Sequence, residues 1–204
     1  MIRLGILISG YGSNLQAIID AIESGRLLGV KIAVVVSDRA DAYGLERARR
    51  RGIPAIHVPY PPRKNGAAAR RGQDAKLAAR LHQQHAVDWV VLAGWLRLLS
   101  NDFLTEFPMR VINLHPALPG LFPGLHAIER ALEAYRAGRI SETGVTVHLV
   151  PDEEVDAGPV ILTRAVPILP TDDVDALSAR VHQVEHECLV EAVARAISAP
   201  TPRT

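Results

Sequence analysis

The chain has 204 residues, 48% of them hydrophobic, enough to bury a continuous core as one domain over 1–198 with a short flexible tail over 199–204. Lys and Arg total 23 against 22 Asp and Glu, so no charge excess favours capture of nucleic acid or an anionic membrane, and any anion site is local. One cysteine, Cys188, excludes an intrachain disulfide framework and any site of several thiolates. The first apolar run is too brief for a signal peptide, and no stretch approaches the roughly 20 apolar residues that cross a bilayer, so a cytoplasmic location is expected.

In chain order, residues 4–8 read as a buried strand that turns through Ser9 and Gly10 into a helix over 15–22. A strand over 31–36, a helix over 44–51 and a strand over 55–58 follow. Residues 59–71, with Pro61, Pro62 and Gly66, read as an exposed loop, and the helical pattern resumes over 73–84. Next come a strand over 89–93, a short helix over 100–107, a strand over 111–114, a Gly- and Pro-rich segment over 116–124 and a helix over 126–135. This alternation predicts an α/β fold, a mostly parallel sheet with helices on both faces. The last third differs: strands over 145–150 and 160–166, joined by the acidic loop 151–158, read as an antiparallel edge element before a helix over 173–197.

Gly10-Tyr-Gly-Ser-Asn14 lies where a strand hands over to a helix. The first N–H groups of a helix have no internal partner and its dipole favours an anion, so Gly12, Ser13 and Asn14 suit a phosphate. The same residues suit a plain glycine turn capped by Asn14 or Ser13. Leu15 stands where a dinucleotide fingerprint needs its third glycine, and no Walker lysine follows.

In Val111-Ile-Asn-Leu-His115, strand alternation puts Asn113 and His115 on one side, and Pro116 ends the strand at the carboxyl edge where open sheets bind ligands. The alternatives are a satisfied core histidine and a structural asparagine. Asp156 reads either as a solvated turn acid or as a partner for His115. His148 reads equally as core packing and as support for the site, His126 as a brace for the neighbouring loop, and Trp89 and Trp95 as apolar mass. No zinc-ligand spacing and no nucleophile elbow is present.

Several segments together carry a family resemblance: Gly10-Tyr-Gly-Ser-Asn-Leu-Gln-Ala-Ile18, Ala42-Tyr-Gly-Leu-Glu-Arg-Ala48, Val90-Val-Leu-Ala-Gly-Trp-Leu-Arg97 and Ile112-Asn-Leu-His-Pro116. Pro123-Gly-Leu-His126, Gly144-Val-Thr-Val-His148, Val155-Asp-Ala-Gly-Pro159 and Glu185-His186 continue it in order. Over nearly its whole length the chain resembles the phosphoribosylglycinamide formyltransferases, a folate-dependent formyltransferase family. The resemblance implies a Rossmann-like formyltransferase fold. It implies transfer of formyl from N10-formyltetrahydrofolate, a cosubstrate, to the amine of 5′-phosphoribosylglycinamide in purine synthesis, without a metal.

By the same resemblance Asn113, His115 and Asp156 are catalytic, with Asn113 and His115 donating to the developing oxyanion and Asp156 holding His115. Gly12, Ser13, Asn14, Arg70 and Glu185 bind the phosphorylated substrate, Arg63 competing with Arg70 for the phosphate. Trp95, Leu96, Arg97, Leu98, Leu99 and Val150 line the folate site. The chain departs from the family in a longer 59–73 loop, in the order of residues 115–120 and in one extra residue before Asp156. Formyltetrahydrofolate hydrolase, methionyl-tRNA formyltransferase and a noncatalytic phosphometabolite-binding module are the competing readings. The expected partners are the two small substrates, with no nucleic acid and no membrane; monomer and homodimer stay open.

Overall fold

The computed structural model describes residues 1–62, 64 and 66–198. The strands are β1 (Ile2–Ile8), β2 (Val30–Ser37), β3 (Ala55–His57), β4 (Trp89–Leu92), β5 (Val111–His115), β6 (Glu142–Leu149) and β7 (Val160–Pro167). They form one seven-stranded sheet in the order β3-β2-β1-β4-β5-β6-β7. The first five run parallel, whereas β6 is antiparallel to both β5 and β7, so the expected antiparallel element occupies one edge. The helices are α1 (Ser13–Glu23), α2 (Tyr43–Arg50), α3 (Gly66–His85), α4 (Asn101–Leu104), α5 (Ala127–Arg136) and α6 (Val174–Ser198).

Period-two alternation of apolar residues builds two cores, one on each face of the sheet. Leu4, Ile6 and Ile8 of β1 are buried with Leu15 and Ile18 of α1 and Leu189 and Val193 of α6. Leu7, on the opposite face, joins Val34, Val36 and Val90 against Leu77 and Leu81 of α3 and Phe103 of α4. Burial of each such side chain stabilises the fold by about 1.5–3 kcal/mol. Strands buried on both faces need helices on both, and the chain supplies them.

Two local expectations need correction. The loop expected over 59–71 ends early, because α3 begins at Gly66. Ala67, Ala68 and Ala69 are strong helix formers and carry the helix back towards the prolines. Neither Asn14 nor Ser13 caps α1 either. The cap position is Gly12, in the left-handed conformation at φ 75°, with no side-chain cap bond, and Asn14 lies inside the helix with its side chain buried elsewhere. Arg63 and the expected tail at 199–204 lie outside the described residues. Among the described residues no helix is long and apolar enough to cross a membrane.

Candidate active site

The carboxyl ends of β1, β2, β4 and β5 open into one cleft of about 1220 Å³. This is the edge at which open parallel sheets bind ligands, because each strand there gives way to a loop whose backbone groups are free. The turn after β1, the loop after β4 and the acidic loop after β6 all face into it.

Strand register explains how Asn113 and its neighbours meet. Asn113 on β5 pairs with His148 on β6, and His115 pairs with Thr146, so these side chains share one sheet face. Asp156 reaches them from the acidic loop, with its backbone in the left-handed region at φ 54°, which Asp tolerates better than most residues. Asn113 Nδ2 donates to Asp156 Oδ1 at 3.0 Å and meets His148 Nε2 at 3.2 Å. His115 Nδ1 lies 3.3 Å from Asp156 Oδ2, and the Gly124 N–H donates to that same oxygen at 2.9 Å. The structure therefore brings Asn113, His115 and Asp156 together.

Hydrogen bonds constrain the ring protons. His148 Nδ1 lies 2.9 Å from the Leu149 carbonyl, and Nε2 lies 3.2 Å from Asn113 Nδ2 and 3.5 Å from Asp156 Oδ1. Nε2 therefore accepts from Asn113 when the ring carries its proton on Nδ1 alone and faces Asp156 as a donor when both nitrogens are protonated. The nitrogens of His115 face only oxygens, Nε2 the Leu121 carbonyl at 3.0 Å and Nδ1 Asp156, so both contacts are hydrogen bonds only when both nitrogens carry protons. Burial opposes the charge of Asp156, but bonding with His148, the Gly124 N–H and the nearby imidazoles outweigh it and hold the carboxyl below its usual range. A negative Asp156 beside two imidazoles is thus the favoured arrangement.

At the turn, Gly12, Ser13 and Asn14 line the cleft, and with no side-chain cap the first N–H groups of α1 remain donors. Asn14 Nδ2 donates to Glu185 Oε2 of α6 at 3.2 Å, while Asn14 Oδ1 is buried without a partner among the described residues. Glu185 is only 5% exposed, and burial pushes its carboxyl up to about 7, the Asn14 bond pulling it back only in part. A carboxyl raised from 4.5 to about 7 stabilises the fold below pH 4.5 and loses that contribution as pH rises through 7. Glu185→Gln is accordingly expected to raise stability at pH 8 by on the order of 3 kcal/mol, with the gain vanishing near pH 4.5. Thermal melting of both proteins across that range is the check, and a variant no more stable than the parent at pH 8 contradicts it.

The loop after β4 forms another wall. Trp95 and Leu99 are buried, Leu96 and Leu98 are exposed, and Val150 from the end of β6 completes the apolar lining. Arg97 pairs with Asp38 at the end of β2 and lies over the Tyr60 ring at 4.8 Å. Tyr60 OH donates to the buried Asp74 at 2.7 Å, and Asp74 accepts the Ser100 N–H at 2.9 Å, so the wall is tied to α3 and to the start of α4. Arg70 also reaches this wall: its guanidinium meets Glu153 at 2.9 Å and the Leu98 carbonyl at 3.5 Å, not the Gly12 turn. Glu153 in turn accepts the Asn101 N–H at 3.0 Å.

Sequence reasoning left His148 undecided and missed Glu153, Tyr60, Asp38 and Asp74. Thr146 and His148 alternate with apolar residues along β6, and that pattern was the available signal for His148. His126, expected to brace the loop, is exposed and meets Glu129 at 3.2 Å. Among the described residues no group of three or more His, Cys, Asp or Glu is placed to hold a metal ion.

An open sheet with an antiparallel edge, a polar cluster at the end of β5 and a glycine turn after β1 define one class, and the family profile described as formyl transferase matches residues 2–193. The chain is 46% identical over 199 residues to phosphoribosylglycinamide formyltransferase of Dictyostelium discoideum, covering 92% of this chain and 94% of that one. It is 46% identical to the Schizosaccharomyces pombe protein of the same name, covering 96% and 97%. A crystal structure of glycinamide ribonucleotide transformylase 1 from Symbiobacterium toebii superposes with a TM-score of 0.84 at 48% identity, covering 95% of this chain and 86% of that one. The chain belongs to the phosphoribosylglycinamide formyltransferases of the formyl transferase family.

Proposed function

We propose that this chain transfers the formyl group of N10-formyltetrahydrofolate to the glycinamide amine of 5′-phosphoribosylglycinamide, giving 5′-phosphoribosyl-N-formylglycinamide and tetrahydrofolate in purine biosynthesis. The observation that carries this reading is the meeting of Asn113, His115 and Asp156, at 3.0 Å and 3.3 Å, in the same cleft as the Gly12–Asn14 turn. Kinship with enzymes named for this activity supports it. Residues 1–198 act as one domain, and the reaction takes place in the cytoplasm.

The wall of Trp95, Leu96, Leu98, Leu99 and Val150 suits a flat, partly apolar ring, and the buried Trp95 Nε1 lacks a partner among the described residues. The folate supplies a formyl carbonyl carried on its N10. Attack by the amine puts negative charge on the carbonyl oxygen and makes the amine acidic, so the site has to donate hydrogen bonds to that oxygen and relocate one proton. Asn113 provides an N–H by turning one of its two amide hydrogens from His148 or Asp156. His115 keeps Nδ1 on Asp156 and turns Nε2–H from the Leu121 carbonyl to the same oxygen, which requires the 116–124 segment to yield. His115 gives its Nε2 proton to N10 as the bond between the formyl carbon and N10 breaks and then takes the proton leaving the amine, so the products are the formylated amide and tetrahydrofolate with His115 restored. No covalent bond to the protein is needed.

Gly12, Ser13 and Asn14 hold the phosphate, and Glu185 faces the sugar next to it. Arg70, set on the outer edge of the ring wall, is better placed for an anionic end of the folate than for that phosphate. Incubation of the purified protein with both substrates tests the function. The expected result is a formylated product by mass only when the acceptor is present; loss of formyl from the folate without acceptor means hydrolysis, and no reaction with either defeats the assignment.

A further inference from the structure

The Gly10–Asn14 turn is gripped from behind by α2. The Gly44 N–H donates to the Gly10 carbonyl at 3.1 Å, and a Cβ on Gly12 would stand 2.8 Å from Gly44 Cα, so turn and helix touch backbone to backbone. Arg47, three residues on and on the same helix face as Gly44, is thereby brought to the turn. Its Nε donates to the Tyr11 carbonyl at 3.0 Å and its Nη1 to Gln16 Oε1 on α1 at 3.0 Å. One rigid planar group thus ties the residue before Gly12 to the first turn of the helix after it.

The guanidinium is itself held in place. The rings of Tyr11 and Tyr43 stack at 5.3 Å with 20° between their planes, and Arg47 sits 4.4 Å from one centroid and 4.9 Å from the other. Tyr11 nevertheless stays 67% exposed, so little burial explains an ordered aromatic there. Arg50 and Arg51 beside it pair with Glu46 and Glu23, whereas Arg47 meets no carboxylate among the described residues and its charge is uncompensated. A guanidinium set beside two stacked rings and close to both centroids keeps that charge while being fixed in direction.

We propose that Arg47, clamped by Tyr11 and Tyr43, is a positioning residue for the substrate phosphate. It acts through the turn, fixing a flexible glycine segment so that the N–H groups of Ser13 and Asn14 converge on one anion, and its charge adds to that of the helix end. The proposal rests on reading the Gly12–Asn14 turn as the phosphate site.

Steady-state kinetics of Arg47→Met and Arg47→Lys test it, with inorganic phosphate as a competitor. Arg47→Met is expected to raise KM for 5′-phosphoribosylglycinamide about tenfold and to weaken phosphate inhibition in parallel. Its kcat and folate KM are expected to stay within about twofold. Arg47→Lys restores only part of the loss, since it keeps the charge and lacks the fork, and millimolar guanidinium restores part of it in Arg47→Met. An unchanged KM for the phosphorylated substrate in Arg47→Met, or an equal worsening of both KM values and kcat, overturns the clamp. Absence of phosphate competition in the parent overturns the underlying reading of the turn; competition in the parent with no change in Arg47→Met overturns the clamp alone.

Discussion

Asn113→Ala is expected to lower kcat by about 10²- to 10³-fold while KM for both substrates changes little. Removing one preorganised donor to a developing oxyanion costs about 3 kcal/mol in the transition state, and the loss falls on kcat because that charge is absent in the ground state. The side chain is small and half-buried, and its two hydrogens serve polar partners, so truncation does not open an apolar cavity. It leaves His148 Nε2 and Asp156 Oδ1 each short of a donor, which water entering from the cleft can supply. Rapid-quench and steady-state kinetics on the variant, with melting as a control for folding, decide the point. A fall in kcat below about fivefold means that the oxyanion is stabilised elsewhere.

Asp156→Asn is expected to cost about 10²-fold or more in kcat, and for a different reason. The Asp156 side chain touches Asn113, His115, His148 and the Gly124 N–H together. The amide still accepts hydrogen bonds through one oxygen, so the loop keeps part of its anchorage. What it loses is the negative charge that supports a protonated His115 and one of the two acceptors that fix the ring. The loss also appears in stability against pH. The folded carboxyl lies below its usual range, so its contribution is present above the unfolded value near 3.8 and disappears as pH falls through the lower folded value. Asp156→Asn removes that contribution, so the parent's stability advantage at neutral pH is expected to shrink on acidification below pH 4. Kinetics near wild-type level in Asp156→Asn leave His115 without the proposed support.

The strands and the two-faced core were legible because β1, β2 and β4 are nearly unbroken apolar runs, and β6 and β7 are apolar runs broken by a few polar residues, bounded by glycine, proline or a polar turn. The antiparallel edge was legible from two such runs separated by too few residues to hold a crossover helix. The start of α3 was not, since Pro61, Pro62 and Gly66 outweighed three alanines in the local reading although the alanines set the helix. Capping misled for a related reason: Asn14 has the chemistry of a cap, but the buried Glu185, far along the chain, recruits its side chain into the helix interior. Alternation put Asn113 and His115 on one side of β5, yet nothing in the linear order told whether Asp156 would arrive. That depends on a left-handed backbone at Asp156 and on the Gly124 N–H, both properties of the folded loops. For Arg70, its place before Asp74 pointed to a phosphate, and the structure sets its guanidinium against Glu153.

The Gly12–Asn14 turn and the polar cluster occupy one cleft, so the proposed site lets a substrate anchored by its phosphate at the turn present its amine to a carbonyl held beside Asn113 and His115. On the proposed reading, specificity for a small phosphorylated acceptor follows from the turn and catalysis from the cluster, while Asp156 links the acidic loop to β5. Single-turnover formyl transfer by His115→Ala, with both substrates saturating and their binding measured separately, tests this division most directly. The account predicts binding within a fewfold of the parent and a transfer step slowed by about 10²-fold or more; a transfer step as fast as the parent's contradicts it.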